Sequence, residues 1–310
     1  QGAEVHGGIV LVGSNFVPSH FLWCAFGVPP AEASTRGAAR WTRGVYINAT
    51  AVRCEVPPGF LGDFTVSAST DDVVGVPLPA AGATVDGWVF PDTIYNIFAA
   101  GRQHDVPVII GSNADEGTMF TQPPGTLEAY QDGVRRQYGD FADEFLTTYP
   151  ARSVEEAWQS QVAIFTDATF GWEMRTWARM MGTVSSPAYL YYFSRVPPAP
   201  EGDAFAHYGA YHTAEIPYVF DNFGVSTSLH ANRAYDGTDR DMSSALASYW
   251  MNFAATGNPN GPGLTEWPAF DEDADEALEI GDTIQVRRGV RKERLDLLDR
   301  YYAAQRDTAR

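Results

Sequence analysis

Six histidines occur in the 310 residues, and His212 has the most informative surroundings: Gly209-Ala210-Tyr211-His212-Thr213-Ala214-Glu215-Ile216-Pro217-Tyr218-Val219-Phe220. An imidazole on a loop after a buried strand can reach a site and titrates near neutral pH, as a general base must. On physics alone, such a residue is more often a satisfied structural or surface histidine. Asn113-Ala114-Asp115-Glu116-Gly117 places a carboxylate just past an apolar run. Such a carboxylate can orient an imidazole, or it can simply cap a helix. Neither stretch decides the matter alone.

The elements that would carry these residues emerge from periodicity. Val106-Pro107-Val108-Ile109-Ile110 suits a buried parallel strand that delivers Gly111-Ser112-Asn113 to a loop, and Tyr189-Leu190-Tyr191-Tyr192-Phe193 suits a second. Residues 126–148 and 154–182 read as amphipathic helices. Thr126 is a cap for the first, and Ser153 with Glu156 makes a capping box for the second. A third helix spans 241–256 and stops at Gly257, with Pro259 beyond. Strands alternating with helices predict an α/β architecture with sites at the carboxyl ends of the strands.

The first quarter has a different grammar. From Val5 to Ser69, short β-favouring runs such as Gly8-Ile9-Val10-Leu11-Val12 alternate with Gly, Pro, Asn and Ser clusters, which predicts a small β-sandwich. Thr70 to Ala83 reads as a linker. Both cysteines, Cys24 and Cys54, lie in this region and could be a disulfide, two buried thiols or part of a metal site that lacks further clustered ligands. The one N-x-[ST] sequon, Asn48-Ala49-Thr50, falls between them and makes Asn48 a possible glycosylation site, which leans towards a secreted or extracellular protein.

Taken in order, the later motifs resemble the type-B carboxylesterase and cholinesterase family from about 84 to 305. They are Val85-Asp86-Gly87, the run from Val106 through Glu116-Gly117-Thr118-Met119-Phe120, Phe165-Thr166-Asp167, and the stretch around His212. Tyr249-Trp250-Met251-Asn252-Phe253-Ala254-Ala255-Thr256-Gly257-Asn258-Pro259-Asn260 and Trp267-Pro268 complete the series. The resemblance implies the carboxyl-terminal half of an α/β-hydrolase, with Glu116 in the triad-acid position and His212 in the triad-base position. It also puts Asp167 near the base, where capping or core hydrogen bonding is an equally good account. The amino-terminal segment, about 5–69, resembles the IPT/TIG family of immunoglobulin-like domains through Gly8 to Phe16, Cys24-Ala25-Phe26-Gly27 and Val52-Arg53-Cys54-Glu55-Val56-Pro57-Pro58. In that family the two cysteines commonly pair, and the module serves adhesion or spacing. The division expected is therefore 1–69, a linker 70–83, and 84–310.

The hydrolase order of nucleophile, acid and histidine requires a serine before Glu116. Ser14, Ser19, Ser34, Ser67, Ser69 and Ser112 are available there, and none sits in G-x-S-x-G. That elbow needs small residues two positions either side because the serine is held in a strained strand-to-helix turn. Ser14 has Phe16 two positions on, Ser67 lies in a β-like run, and Ser112 belongs to the acid loop. No nucleophile is found. His6-Gly7-Gly8 matches only a tripeptide of the glycine-rich oxyanion loop, and the residues after Gly8 fit the sandwich better. The aromatics Trp172, Trp177, Tyr189, Tyr191, Tyr192 and Phe193 could line an acyl or alcohol pocket, although such spacing is more often core.

No phosphate loop, dinucleotide fingerprint or metal-ligand cluster appears, so no cofactor or metal is expected. The acidic run Asp271-Glu272-Asp273-Ala274-Asp275-Glu276 reads as a solvated loop. A net charge of -18, from 39 acidic against 21 basic residues, disfavours nucleic acid and anionic membrane surfaces. No apolar run approaches the roughly 20 residues a bilayer span needs, and with Gln1 first no signal peptide is visible, as in a trimmed or partial chain. The expected partner is a small-molecule ester, with a protein partner possible through the amino-terminal module. The leading reading is thus an ester hydrolase that holds acid and base without its nucleophile. The rival is a non-catalytic adhesion or interaction protein of the same family. Half a hydrolase sheet would also leave an unpaired edge.

Overall fold

The structure is a computed structural model. It describes residues 8–12, 22–27, 40–48, 51–55 and 65–70 as backbone, together with 85, 87–200, 206–223 and 233–308. The chain divides into two compact units, one of Gln1–Ile97 with Asp307–Arg310 and the other of Phe98–Arg306.

In the first unit, β1 (Gly8–Val12), β2 (Leu22–Gly27), β3 (Arg40–Asn48), β4 (Ala51–Glu55) and β5 (Thr65–Thr70) pair antiparallel throughout, in the order β1-β4-β3-β2-β5. The nine-residue β3 serves both neighbours, pairing with β2 over Arg40 to Arg43 and with β4 from Gly44 onward. The strands therefore join into one sheet. An immunoglobulin-like sandwich needs a second layer, and none stands among the described residues. Cys24 lies on β2 opposite Thr42 and Cys54 on β4 opposite Gly44. Their pairing and the glycosylation of Asn48 concern side chains outside the described structure; of the linker expected at 70–83, Thr70 ends β5 and 71–83 lie outside the described residues.

A short helix, α1 (Ile94–Ala99), precedes the second unit's first strand, β6 (Val108–Asn113). Four helices come next: α2 (Leu127–Tyr138), α3 (Ala142–Thr148), α4 (Val154–Thr166) and α5 (Trp172–Met180). Then come β7 (Ala188–Phe193), α6 (Ile216–Val219), α7 (Gly237–Thr256), the hairpin β8 (Glu276–Ile280) and β9 (Ile284–Arg288), and α8 (Lys292–Thr308). The sheet runs β6-β7-β8-β9, with the first three strands parallel and β9 antiparallel to β8. Among the described residues β6 is an edge, paired only with β7.

The near-continuous apolar runs in β6 and β7 reflect burial on both faces. Tyr189 and Phe193, with Leu278 and Ile280 of β8, face a core closed by Met242, Leu246 and Tyr249 of α7 and by Trp267. Their neighbours Ala188 and Leu190, with Ile110 and Ala277, face Ala178 of α5 and Met181. The side chains alternate between two helical layers with the strand period of two.

Several boundaries depart from the sequence reading. β6 starts after Pro107, which has no N–H for a ladder, and continues to Asn113 because register with β7 holds to the pair Asn113–Phe193. Gly111, Ser112 and Asn113 are thus strand residues. Gly111 is needed there, since a Cβ would lie 2.3 Å from the Tyr191 ring. The first predicted helix breaks at Gly139, whose φ of 52° a helix does not admit, and Tyr138 then stacks on Phe145 of α3. Thr126 caps α2 and Ser153 caps α4 as expected. Glu156 accepts from the Arg152 N–H, not from that of Ser153, so the box is not reciprocal. The second helix is interrupted by a π-helical turn at Asp167–Gly171. α7 begins earlier than predicted, under a reciprocal box between Asp236 and Asp239, and ends at left-handed Gly257. The acidic run is only partly a loop: Asp275 accepts two hydrogen bonds from Arg175, and Glu276 opens β8 and pairs with Arg288.

Candidate active site

β6 hands the chain directly to a 3₁₀ turn, Glu116–Met119, and Glu116 at its start is buried at 4% exposure. A carboxylate buried this far needs partners on both oxygens. Oε1 accepts the Asn113 backbone N–H at 2.8 Å, and Oε2 lies 2.6 Å from His212 Nδ1. Gly117, next in the turn, packs against α4: its N–H donates to Thr166 Oγ1, and a Cβ there would sit 2.5 Å from the Val162 carbonyl.

His212 comes from the loop between β7 and α6. Nδ1 is the donor to Glu116, which leaves Nε2 as the acceptor nitrogen of a neutral imidazole. No described residue hydrogen-bonds Nε2. The ring packs against both Phe120 and Phe170, each with its centroid 5.2 Å away, and Phe120 stacks on Phe165. Phe165 and Phe170 are five residues apart, a spacing that an α-helix would send to different faces and the π turn brings together. Glu116 raises the His212 pKa above the ordinary imidazole value as hydrogen-bond acceptor and as a negative charge. Burial opposes this, and the Glu215 carboxylate adds to it.

The loop bearing His212 is strained and firmly tied. Gly209 and Thr213 both have positive φ, 65° and 76°, the second unfavourable for a β-branched residue. Asp115 holds Ala210 from both sides: its N–H donates to the Ala210 carbonyl at 3.0 Å, and its Oδ2 accepts the Ala210 N–H at 2.8 Å. Thr118 Oγ1 donates to the Tyr208 carbonyl. Asn113 Nδ2 donates to the Tyr211 carbonyl at 2.8 Å and to Glu215 Oε2 at 2.5 Å.

Glu116 and His212, which sit on separate stretches of the sequence, are thus brought into direct contact. Asp167 is not part of that contact. It is fully buried beneath the acid loop, accepting from Arg291 and from the Tyr149 hydroxyl, while Arg291 also donates to the Ala114 carbonyl. Of the aromatics considered for a pocket, Tyr189 and Phe193 are core, Tyr191 packs on Trp250 and Trp267, Tyr192 lies under Arg291, Trp172 bonds Asp299, and Trp177 sits half-exposed against Phe98. The rings at the imidazole are Phe120 and Phe170, with Phe165 packed behind them, and the only sequence signal for the pairing of Phe165 with Phe170 would have been their π-helical spacing. Ser112 is buried within β6. His6 and Gly7 lie outside the described residues, and among those described no cluster of three metal-ligating side chains occurs.

With acid and base in contact at the end of a parallel strand, the match of residues 68–298 to the Carboxylesterase family is decisive. The chain belongs to the carboxylesterase family. The fumonisin B1 esterase of Sphingopyxis macrogoltabida is 29% identical over 214 residues, covering 67% of this chain and 38% of that protein. The para-nitrobenzyl esterase of Bacillus subtilis is 26% identical over 214 residues, covering 68% and 41%. A solved structure of a thermophilic PNB esterase aligns with a TM-score of 0.55 at 25% identity over 67% of this chain and 41% of its own, and one of PNB esterase aligns at 0.53 and 26% over 69% and 42%. This carboxylesterase-family chain therefore spans about two fifths of the length of the relatives it matches. No described helix is long and apolar enough to cross a membrane.

Proposed function

We propose that this chain carries the acid–base half of a serine carboxylesterase site, in which Glu116 orients His212 and His212 removes the proton from a serine attacking a carboxylic ester. The observation that carries the reading is the 2.6 Å contact between Glu116 Oε2 and His212 Nδ1, which fixes the tautomer and leaves Nε2 as the base. The esterase names of the relatives support the reaction class, and the acidic chain favours uncharged or cationic esters. No G-x-S-x-G occurs in the 310 residues. Loss of the nucleophile from such a triad costs on the order of a million-fold in rate, so these residues alone are expected to be nearly inactive.

A non-catalytic adhesion role is the second reading, favoured by the absent serine. An adhesion protein has no need to keep acid and base in contact, and their preserved hydrogen bond supports the hydrolase reading over it. In the same proposal the strands of residues 8–70 form a separate IPT/TIG-like module of an extracellular protein, supported by their all-antiparallel pairing, the two cysteines and the sequon at Asn48.

Hydrolysis of a short-chain p-nitrophenyl ester by the purified chain, set against a His212→Ala variant, tests the reading. A background rate shared by both is expected. Addition of a polypeptide that carries the missing nucleophile elbow should raise the rate for the wild-type chain alone. A rise that is equal in the variant overturns His212 as the base.

A further inference from the structure

We infer that Asn113 is the positioning residue of the acid–base pair, setting the distance between Glu116 and His212 by holding the acid with its backbone and the base loop with its side chain. The inference rests on the acid–base reading of that pair, but it concerns the mechanics of the loops and not the identity of a substrate.

Asn113 is the last residue of β6, 1% exposed, and its backbone is fixed by parallel pairing with Phe193 of β7. Its N–H points past the end of the ladder and donates to Glu116 Oε1, so the sheet itself holds the carboxylate. Its side-chain amide has two N–H groups, and both are used across the gap: one donates to the carbonyl of Tyr211, the residue before His212, and the other to Glu215, three residues after it. One residue thus grips the acid and brackets the base. The base loop needs such a grip, because left-handed Thr213, beside His212, is in a conformation unfavourable for a β-branched residue. The hydrogen bonds from Asp115 and Thr118 reach that loop at Ala210 and Tyr208, before His212, whereas Asn113 also reaches Glu215 after it.

Chemistry selects asparagine for this place. Two donors in one plane are required, which Asp, Ser and Thr lack. The amide Oδ1 is buried without a hydrogen-bond partner among the described residues, so the side chain is kept for its two donors at the expense of its acceptor. The titratable groups around the imidazole are Glu116 and Glu215, the latter raised in pKa chiefly by burial and lowered by its bond from Asn113. A neutral donor between two carboxylates also avoids the third negative charge that an aspartate would add.

The test reads the imidazole by NMR in the full chain, so it is independent of esterase activity. The shared Nδ1 proton of wild-type His212 is expected as a downfield resonance protected from exchange. Asn113→Ala should abolish that resonance and move the His212 titration midpoint down towards that of a free imidazole. A folded Asn113→Ala chain with both unchanged overturns the inference. Should that variant not fold, Glu215 decides: Glu215→Gln keeps an acceptor for the amide and should keep the resonance, whereas Glu215→Ala should lose it. Equal resonances in the two overturn the inference. A chain that passes these tests yet fails every complementation assay would refute the esterase reading and leave the positioning role standing.

Discussion

The Asp115 carboxylate fills the space in which a side chain at Gly209 would have to stand: a Cβ there would lie 2.2 Å from Asp115 Oδ2. The same oxygen accepts the Ala210 N–H, so the contact that excludes a side chain at 209 is also one that seats the histidine loop. Gly209 has a φ of 65°, which adds a conformational reason for glycine.

Gly209→Ala is accordingly strained by both sterics and backbone. It should destabilise the second unit by about 1–3 kcal/mol, the range for an overpacked site, as read by urea unfolding. It should also weaken protection of the His212 Nδ1 proton. Wild-type stability in the alanine variant would mean that the loop shifts freely and that Asp115 does not seat it.

The Glu116–His212 pair predicts a pH dependence with a definite sign. The folded pKa of His212 is raised, first by the hydrogen bond to Glu116. A raised base contributes stability in full below its unfolded value, about 6.5, and loses that contribution as pH rises through the folded value. The stability difference between wild type and His212→Gln should therefore shrink across that window. Glu116→Gln should lower the folded midpoint and narrow the window. Urea titrations at a series of pH values check this, and a difference flat with pH would show the pair to be uncoupled.

Asp167 is completely buried and pairs with Arg291, while Arg291 also supports the carbonyl of Ala114 beside the acid. Arg294 also lies 3.6 Å from Asp167, so removing Arg291 weakens the compensation of a buried charge without abolishing it, at up to about 3–5 kcal/mol. Arg291→Met should show a loss of that size in thermal or urea unfolding. Adding Asp167→Asn should recover part of it, since coupled sites are not additive. Strict additivity would show that the two do not act together.

Trp267 is fully buried between β7 and α7, and its Nε1–H donates to the Leu190 carbonyl. Trp267→Ala should cost about 3–5 kcal/mol. Trp267→Phe keeps most of the packing and removes one hydrogen bond to the Leu190 carbonyl, so about 0.5–1.5 kcal/mol is expected. Urea unfolding of the two variants side by side checks the order, and a larger loss for phenylalanine than for alanine would contradict this account of the residue.

The two apolar strands, the caps at Thr126 and Ser153 and the stop at Gly257 are written locally, as a run or a cap of a few residues. Glu116 and His212 are not: the local residues left each open, and only the ordered series of family motifs singled them out. Tertiary structure decided what depends on partners distant in sequence. Gly111 to Asn113 became strand because β7 runs beside them, and β3 drew five strands into one sheet by pairing on both sides. Asp275 left the solvent because Arg175, 100 residues away, meets it. The π turn put Phe170 on His212, and the parallel register placed Asn113 where backbone and side chain reach both halves of the pair. A short-range signal specifies which conformation a segment prefers. Which groups meet across a sheet depends on register and packing, and those are settled only when the whole core closes.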